Sequence, residues 1–212
     1  MTERAILFVD GNNWYHGLTD VGVQRPAQLD YNKIAAKVVG AARTWTATRY
    51  YIGQVSQVGN PQLYADQRRF LASLKAADRR MSIHLGRIES RPVKSECAND
   101  LLEFLGKLTT RIDSKVRNDL FALAHKHKTM RVMVEKAVDV MLAVDLVVLA
   151  QTNQYDTAYI LSADGDYTHA VEFVRTQGKK VFAVAPTSGA QLAAVVNKFI
   201  RIDATWFNDC YK

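Results

Sequence analysis

The sequence predicts an α/β fold in which a central, mostly parallel sheet is covered by helices on both faces. Strand-like and helix-like segments alternate almost from end to end, the pattern of helices laid over a parallel sheet. The runs at residues 5–9 and 181–185 are continuously apolar, as in strands buried on both faces. Two strand-like runs also end in acidic turns that contain glycine, Asp10-Gly11-Asn12-Asn13 and Asp164-Gly165-Asp166. In such sheets ligands bind just outside the carboxyl ends of the strands.

Taken in order, Ala5-Ile6-Leu7-Phe8-Val9 is the first strand and stops at Asp10. Asn12 and Asn13 suit the turn, because their amides bond nearby backbone and tolerate a left-handed conformation. They would equally serve to orient the Asp10 carboxylate or to contact a ligand. Trp14, Tyr15 and His16 read as packing residues as readily as base-stacking ones. Asp30 caps a helix over 30–42 with the stripe Ile34, Ala35, Val38, Val39. Residues 46–52 form a second strand, ended by Gly53. Pro61 opens a helix that runs to Ala77, proline being favoured in a first turn. Residues 81–86 alternate and form the third strand.

Residues 95–128 are helical in period and rich in charge. Leu101, Leu102, Leu105 and Leu108 make one apolar stripe, and Val116, Leu120, Leu123 and Ala124 another. Lys107, Arg111, Lys115 and Arg117 lie between them, followed by His125-Lys126-His127-Lys128. This segment reads as a basic insertion of two helices within a single domain spanning 1–212. The two histidines lack the second ligand cluster that a zinc site needs.

Residues 130–150 are apolar nearly all round, which predicts a deeply buried helix. Glu135, Asp139 and Asp145 stand out in it, since burying an unpaired carboxylate is costly. Glu135 and Asp139, four apart, would share a helical face. Asp145 would face elsewhere, to cap, pair or reach solvent. Residues 157–161 are the fourth strand. A helix follows over 167–177, with Asp166 placed to cap it and Gly178 at its C-terminal stop. The fifth strand is 181–185 and a last helix spans 188–196, after which the tail, 199–207, is expected to pack on the sheet edge.

The chain has 212 residues, 48% of them hydrophobic, enough for a real core, and a formal charge of +7. Between positions 79 and 131 there are 12 Lys/Arg against 6 Asp/Glu, so that quarter of the chain holds most of the excess. A basic balance of this kind points to a polyanionic partner. Cys97 and Cys210 form no C-x-x-C pair, which argues against a disulfide framework or a zinc knuckle. The first apolar run is too short for a signal-peptide core, and no apolar stretch is long enough for a membrane span. A cytoplasmic protein without a membrane partner is expected.

If the first and fourth strands are neighbours, Asp10, Asp164 and Asp166 converge, and Asp139, near a helix start, adds a fourth carboxylate. Four such groups repel and raise one another's pKa unless a cation neutralises them. Mg²⁺ or Mn²⁺ suits an all-oxygen site completed by substrate phosphate. Such an ion activates a water as nucleophile, and a second one stabilises a leaving oxygen. No Ser-His-Asp or Cys-His pairing is visible, and the phosphate loop G-x-x-x-x-G-K-[ST] is absent. Metal-assisted phosphodiester hydrolysis is the chemistry that matches these residues.

Four stretches then carry a family resemblance. They are Phe8-Val9-Asp10-Gly11-Asn12-Asn13, Val134-Glu135-Lys136-Ala137-Val138-Asp139-Val140 with Ala143-Val144-Asp145-Leu146, Tyr155-Asp156-Thr157-Ala158, and Leu161-Ser162-Ala163-Asp164-Gly165-Asp166-Tyr167. In this order they resemble the NYN domain, a branch of the PIN-like nucleases that includes the bacterial LabA-like proteins. The resemblance covers most of the chain except about 95–128. It implies a three-layer PIN-like, Rossmann-like sandwich with a five-stranded sheet of order 3-2-1-4-5 and a divalent-metal site for RNA cleavage. It marks Asp10, Asp139, Asp164 and Asp166 as catalytic metal ligands, with Asn13 and Ser162 as supporting polar residues. Ala137 and Ala163 depart from it, standing where glycine is common.

The reading that follows is a Mg²⁺- or Mn²⁺-dependent ribonuclease, endonucleolytic in action, that takes RNA as its partner. Asn12, Asn13 and Ser162 would contact substrate near the acids, and Lys107, Arg111, Lys115 and Arg117 would grip its backbone. The insertion is also where copies of the chain would join into a homo-oligomer. The alternative is a noncatalytic RNA- or protein-binding module with the same fold. Four intact acids favour catalysis, since binding alone requires no negative charge beside phosphate. A small-molecule phosphohydrolase fits less well, because a small substrate needs no extended basic surface.

Overall fold

The central strand, β1 (Glu3–Asp10), sends Ala5, Leu7 and Val9 into one apolar cluster and Ile6 and Phe8 into another. All five side chains are buried, which is why the run is apolar without alternation. The computed structural model describes residues 2–108 and 113–212. After β1 come α1 (Gly11–Asp20), α2 (Tyr31–Val39), β2 (Arg43–Gln54), α3 (Pro61–Ala77), β3 (Met81–Lys94), α4 (Glu96–Lys107) and α5 (Ser114–Lys126). Then follow β4 (Thr129–Lys136), α6 (Val138–Gln151), β5 (Thr157–Leu161), α7 (Thr168–Thr176), β6 (Lys180–Ala185), α8 (Ala190–Val195) and β7 (Lys198–Arg201).

The expected five-stranded sheet of order 3-2-1-4-5 gives way to seven strands ordered β4-β3-β2-β1-β5-β6-β7. The pairs β1–β2, β1–β5, β2–β3, β5–β6 and β6–β7 are parallel. Both strands the sequence reading lacks lie at the edges. β7 is four residues long and sits in the tail, too short to show a period. β4 was hidden because its apolar residues run on into those of α6. The single helix expected over 130–150 is therefore a strand and a helix, and Glu135 and Asp139 share no helical face. Between them Ala137 adopts a left-handed conformation (φ 72°), which ends the strand and starts the helix.

α6 is also less buried than its composition predicts. Val138, Leu142, Leu146 and Ala150 face the core at helical spacing, while Val140, Val144 and Val148 are 66%, 51% and 45% exposed. A helix apolar on every side has no period to reveal which stripe is buried. Asp145 is anchored inward: its carboxylate accepts from Arg49 at 2.7 Å and from the Tyr51 hydroxyl at 2.7 Å.

The chain divides into two compact units, one of Met1–Arg87 with Glu135–Lys212 and one of Ile88–Val134. In the second unit α4 and α5 pack together with Ala98, Leu105 and Ala124 buried, capped by Ser95 and Asp113 respectively. Among the described residues no helix is long and apolar enough to cross a membrane.

Candidate functional site

β1 and β5 are adjacent and parallel, with Val9 opposite Leu161. The register sets Asp10 beside Ser162, so the turns after the two strands meet. Asp10, only 2% exposed, is the N-cap of α1: one of its oxygens accepts from the Asn13 N–H at 3.1 Å. The other accepts from Ser162 Oγ at 3.2 Å and from the Tyr167 hydroxyl at 2.9 Å. Asn13 Oδ1 in turn accepts from the Ala163 N–H at 3.1 Å, and Ser162 Oγ from the Asp164 N–H at 3.1 Å. These bonds lace both turns into one rigid floor.

Asp139 reaches this floor from the first turn of α6. A close approach makes that possible, since a side chain on Gly86 of β3 would run into the Lys136 carbonyl at 2.5 Å. One carboxylate oxygen from each of Asp10, Asp139 and Asp164 then lies within 4.8 Å of the others. Among the described residues this is where three metal-ligating side chains gather, and His125 and His127 take part in no such group.

At the second turn the capping expectation is reversed. Asp166 lies outside the trio and is exposed, within the single 3₁₀ turn Gly165–Tyr167 that precedes α7. It caps nothing. Asp164 is the capping residue, its carboxylate accepting from the Asp166 N–H at 3.0 Å. The extended backbone of Asp164 (ψ 132°) turns its side chain back over the following N–H groups.

The acids of the site crowd and repel one another. Burial pushes the Asp10 carboxyl above its ordinary range, and the nearby Asp139 charge adds to this against the hydrogen bonds that lower it. Asp139 is raised by burial and by the charges of Asp164 and Asp166. Glu135, which accepts from the Gly53 N–H, is raised by burial and by Asp10 and Asp139. The Tyr167 hydroxyl lies 3.1 Å from Asp139 as well as 2.9 Å from Asp10. It has one proton for two carboxylates, so it relieves only part of their repulsion. Glu135 stands out in the sequence but is passed over for Asp139, and Tyr167 is not singled out as a site residue. The tyrosine follows Asp166 directly, but only the roll of the 3₁₀ turn aims its hydroxyl.

The basic candidates belong to the second unit. Lys107 pairs with Glu103, and the Arg117 guanidinium lies 5.7 Å from the Phe121 ring centroid. Lys115 makes no ion pair among the described residues, and Arg111 lies outside them. Asn12 is exposed, beside the acidic turn.

The NYN domain model matches residues 106–203, a span that holds Asp139, Ser162, Asp164 and Asp166 and stops short of Asp10. No curated protein matches the chain. Among solved structures, a protein of unknown function from Vibrio parahaemolyticus is similar over 100% of this chain and 97% of its own, with 17% identity and a TM-score of 0.58. That likeness concerns the fold.

Proposed function

We propose that this chain, whose residues 106–203 match the NYN domain model, is a divalent-metal-dependent ribonuclease that hydrolyses RNA phosphodiesters internally. The observation that carries the reading is the trio Asp10, Asp139 and Asp164, three carboxylates from three elements at the carboxyl ends of parallel strands. Three hard oxygen donors around a space of this size fit Mg²⁺ or Mn²⁺ better than a softer ion. When bound, such an ion supplies an activated water and stabilises charge on the scissile phosphate.

The protein's own part is positional. The Tyr167 hydroxyl and Ser162 fix the Asp10 carboxylate, and the Asp166 N–H fixes that of Asp164. Asp166, exposed beside Asp139, is placed to meet solvent or an outer part of the site. RNA is the substrate class favoured by the basic charge and by the family, whose members are PIN-like nucleases. Lys115 and Arg117 are the described cations we assign to its backbone.

The test is cleavage of labelled single-stranded and structured RNA in Mg²⁺, in Mn²⁺ and in chelator. Cleavage that requires the ion and vanishes in Asp10→Asn supports the reading. Ion-independent cleavage, or none on any RNA, overturns it. The noncatalytic alternative is favoured by one feature, the exposed valine stripe on α6. It predicts tight binding of a macromolecule with no cleavage in the same assay.

A further inference from the structure

Beside the acidic turn lies a cavity of about 320 Å³ with largely apolar walls that include four aromatic side chains, Tyr15, Tyr31, Tyr50 and Phe70. Tyr31, Tyr50 and Phe70 brace one another edge to face, with centroids 5.4 to 6.4 Å apart. Tyr15 stands at the cavity with 49% of its surface exposed. Two contacts link the cavity to the acidic site. Gly11, next to Asp10, forms part of its lining and lies against the Tyr50 ring, so closely that a side chain there would meet the ring at 2.7 Å. Gln67, also in the lining, donates to the Gly53 carbonyl at 2.9 Å, and the Gly53 N–H is held by Glu135.

We propose that this cavity takes one unpaired nucleobase of the RNA strand, the nucleotide beside the phosphate held at the acidic trio. This rests on the ribonuclease reading for the position of the phosphate. The volume is at the small end of ligand pockets, which start at about 300 Å³, so it suits a single ring system. Its walls supply π-faces and edges, on which bases stack whatever their sequence. Two of its polar side chains are committed: the Gln67 amide is bound to the Val55 N–H at 3.0 Å as well as to Gly53, and Asp66 pairs with Arg69. A charged ligand would therefore find no free counter-charge, whereas a neutral flat base needs none. The exposed Asn12 amide at the cavity is the group left to meet a base edge or ribose.

The test uses a single-stranded RNA ten-mer carrying 2-aminopurine at one position at a time, bound in Ca²⁺ and, separately, cleaved in Mn²⁺. Stacking at the cavity quenches the probe at one position, and an abasic site there weakens binding about tenfold, within the roughly 1–3 kcal/mol of one base–aromatic stack. Tyr15→Ala removes an exposed wall, and Ala27→Trp fills the space from its exposed rim. Both are expected to abolish that quench and shift affinity by a similar factor. If wild-type RNA is bound and cleaved but no position is quenched and both variants bind normally, the cavity is no base site and the nuclease reading stands. If the quench and its loss in both variants are seen without cleavage, the base site stands and the nuclease reading falls. Absence of RNA binding overturns the base site.

Discussion

At the amino ends of the central strands, Glu3 on β1 accepts from Arg43 at 2.8 Å and from Lys180, and Asp156, just before β5, is held by Arg4 at 2.9 Å. At the carboxyl ends of the same two strands, Asp10, Asp139 and Asp164 gather with no ion pair among the described residues. The consequences have opposite sign. The lysine and arginine hydrogen bonds hold Glu3 below its ordinary pKa, and Arg4 holds Asp156 down to about 2. Burial and like charge push Asp10 and Asp139 up. Acidic side chains as such are ordinary at both ends. What distinguishes the carboxyl end is that, among the described residues, no lysine or arginine pairs with its three acids, inside an otherwise well-bonded floor.

The sharpest way to break the comparison is to remove a carboxylate from each end. Asp10→Asn should lower metal-dependent cleavage by at least about 1000-fold, roughly 4 kcal/mol of transition-state stabilisation. Its melting temperature in chelator should hold or rise, because a repelled buried charge is gone. Asp156→Asn should lower the melting temperature and leave cleavage and its metal dependence unchanged. Parallel melting curves and rates decide it, and equal rates in the two variants would remove the distinction between the ends.

Next in size is the hydroxyl that bridges buried Asp10 and exposed Asp139. Tyr167→Phe keeps the ring in the core and deletes one hydrogen bond to a charged partner, worth about 1.5–3 kcal/mol. Cleavage should fall roughly tenfold, with weaker apparent metal affinity, as the Asp10 and Asp139 carboxylates lose their shared donor. Titration of the rate with Mn²⁺ separates the two effects.

A pH series tests both ends at once. A carboxyl with a raised folded pKa makes the metal-free fold lose stability as pH rises from the unfolded value near 4 through the folded one. A depressed carboxyl does the reverse: its contribution is present above about 4 and is lost as pH falls through the folded value. In chelator the melting temperature should therefore decline as pH rises above about 4, and saturating Mg²⁺ should flatten that decline. Below about 4 the amino-end pairs fail, and Asp156→Asn should blunt that acid loss.

The acidic turn gives the finer test. Asp164→Ala removes both a carboxylate and a cap, so it should lose cleavage and about 1 kcal/mol of stability. Asp164→Asn should lose cleavage but keep the cap, since asparagine caps as well as aspartate. Asp166→Ala should change stability little. Were Asp166→Ala the more destabilising, the capping assignment at this turn would be wrong.

That reversal shows where sequence reasoning reached its limit. Asp10, Asp139 and Asp164 were legible as candidates because each lies where a buried element begins or ends; strand adjacency brings Asp10 and Asp164 together, and the first turn of α6 adds Asp139. Asp164 and Asp166 differ by two residues, and which one faces backbone depends on a ψ angle that composition does not encode. β4 was illegible because Met130 to Val134 and Val138 to Leu149 form one apolar stretch, and the break between them is a conformation of Ala137. The hydroxyl of Tyr167 and the aromatic cavity depend on how turns and helices roll against β1 and β2, which spacing along one segment does not report.

Ala137 supplies the smallest effect and bears on how Asp139 is aimed. A left-handed alanine costs about 1–2 kcal/mol, whereas glycine there carries none of that strain. Glycine loses about 0.5–1 kcal/mol more conformational entropy on folding. The difference favours Ala137→Gly by roughly 0.5–1 kcal/mol, a rise of about 1–4 °C in melting temperature for a chain of this size. Gly86 already leaves room for the backbone at this join, and its approach to the Lys136 carbonyl is unaffected by the change. Cleavage should therefore be unaltered, with Asp139 still delivered by the first turn of α6. A variant that melts higher but cleaves more slowly would show that the alanine methyl stiffens the join and holds Asp139 on the trio. A variant that melts lower would mean that glycine's entropy outweighs the strain, and that the left-handed turn is held by its surroundings.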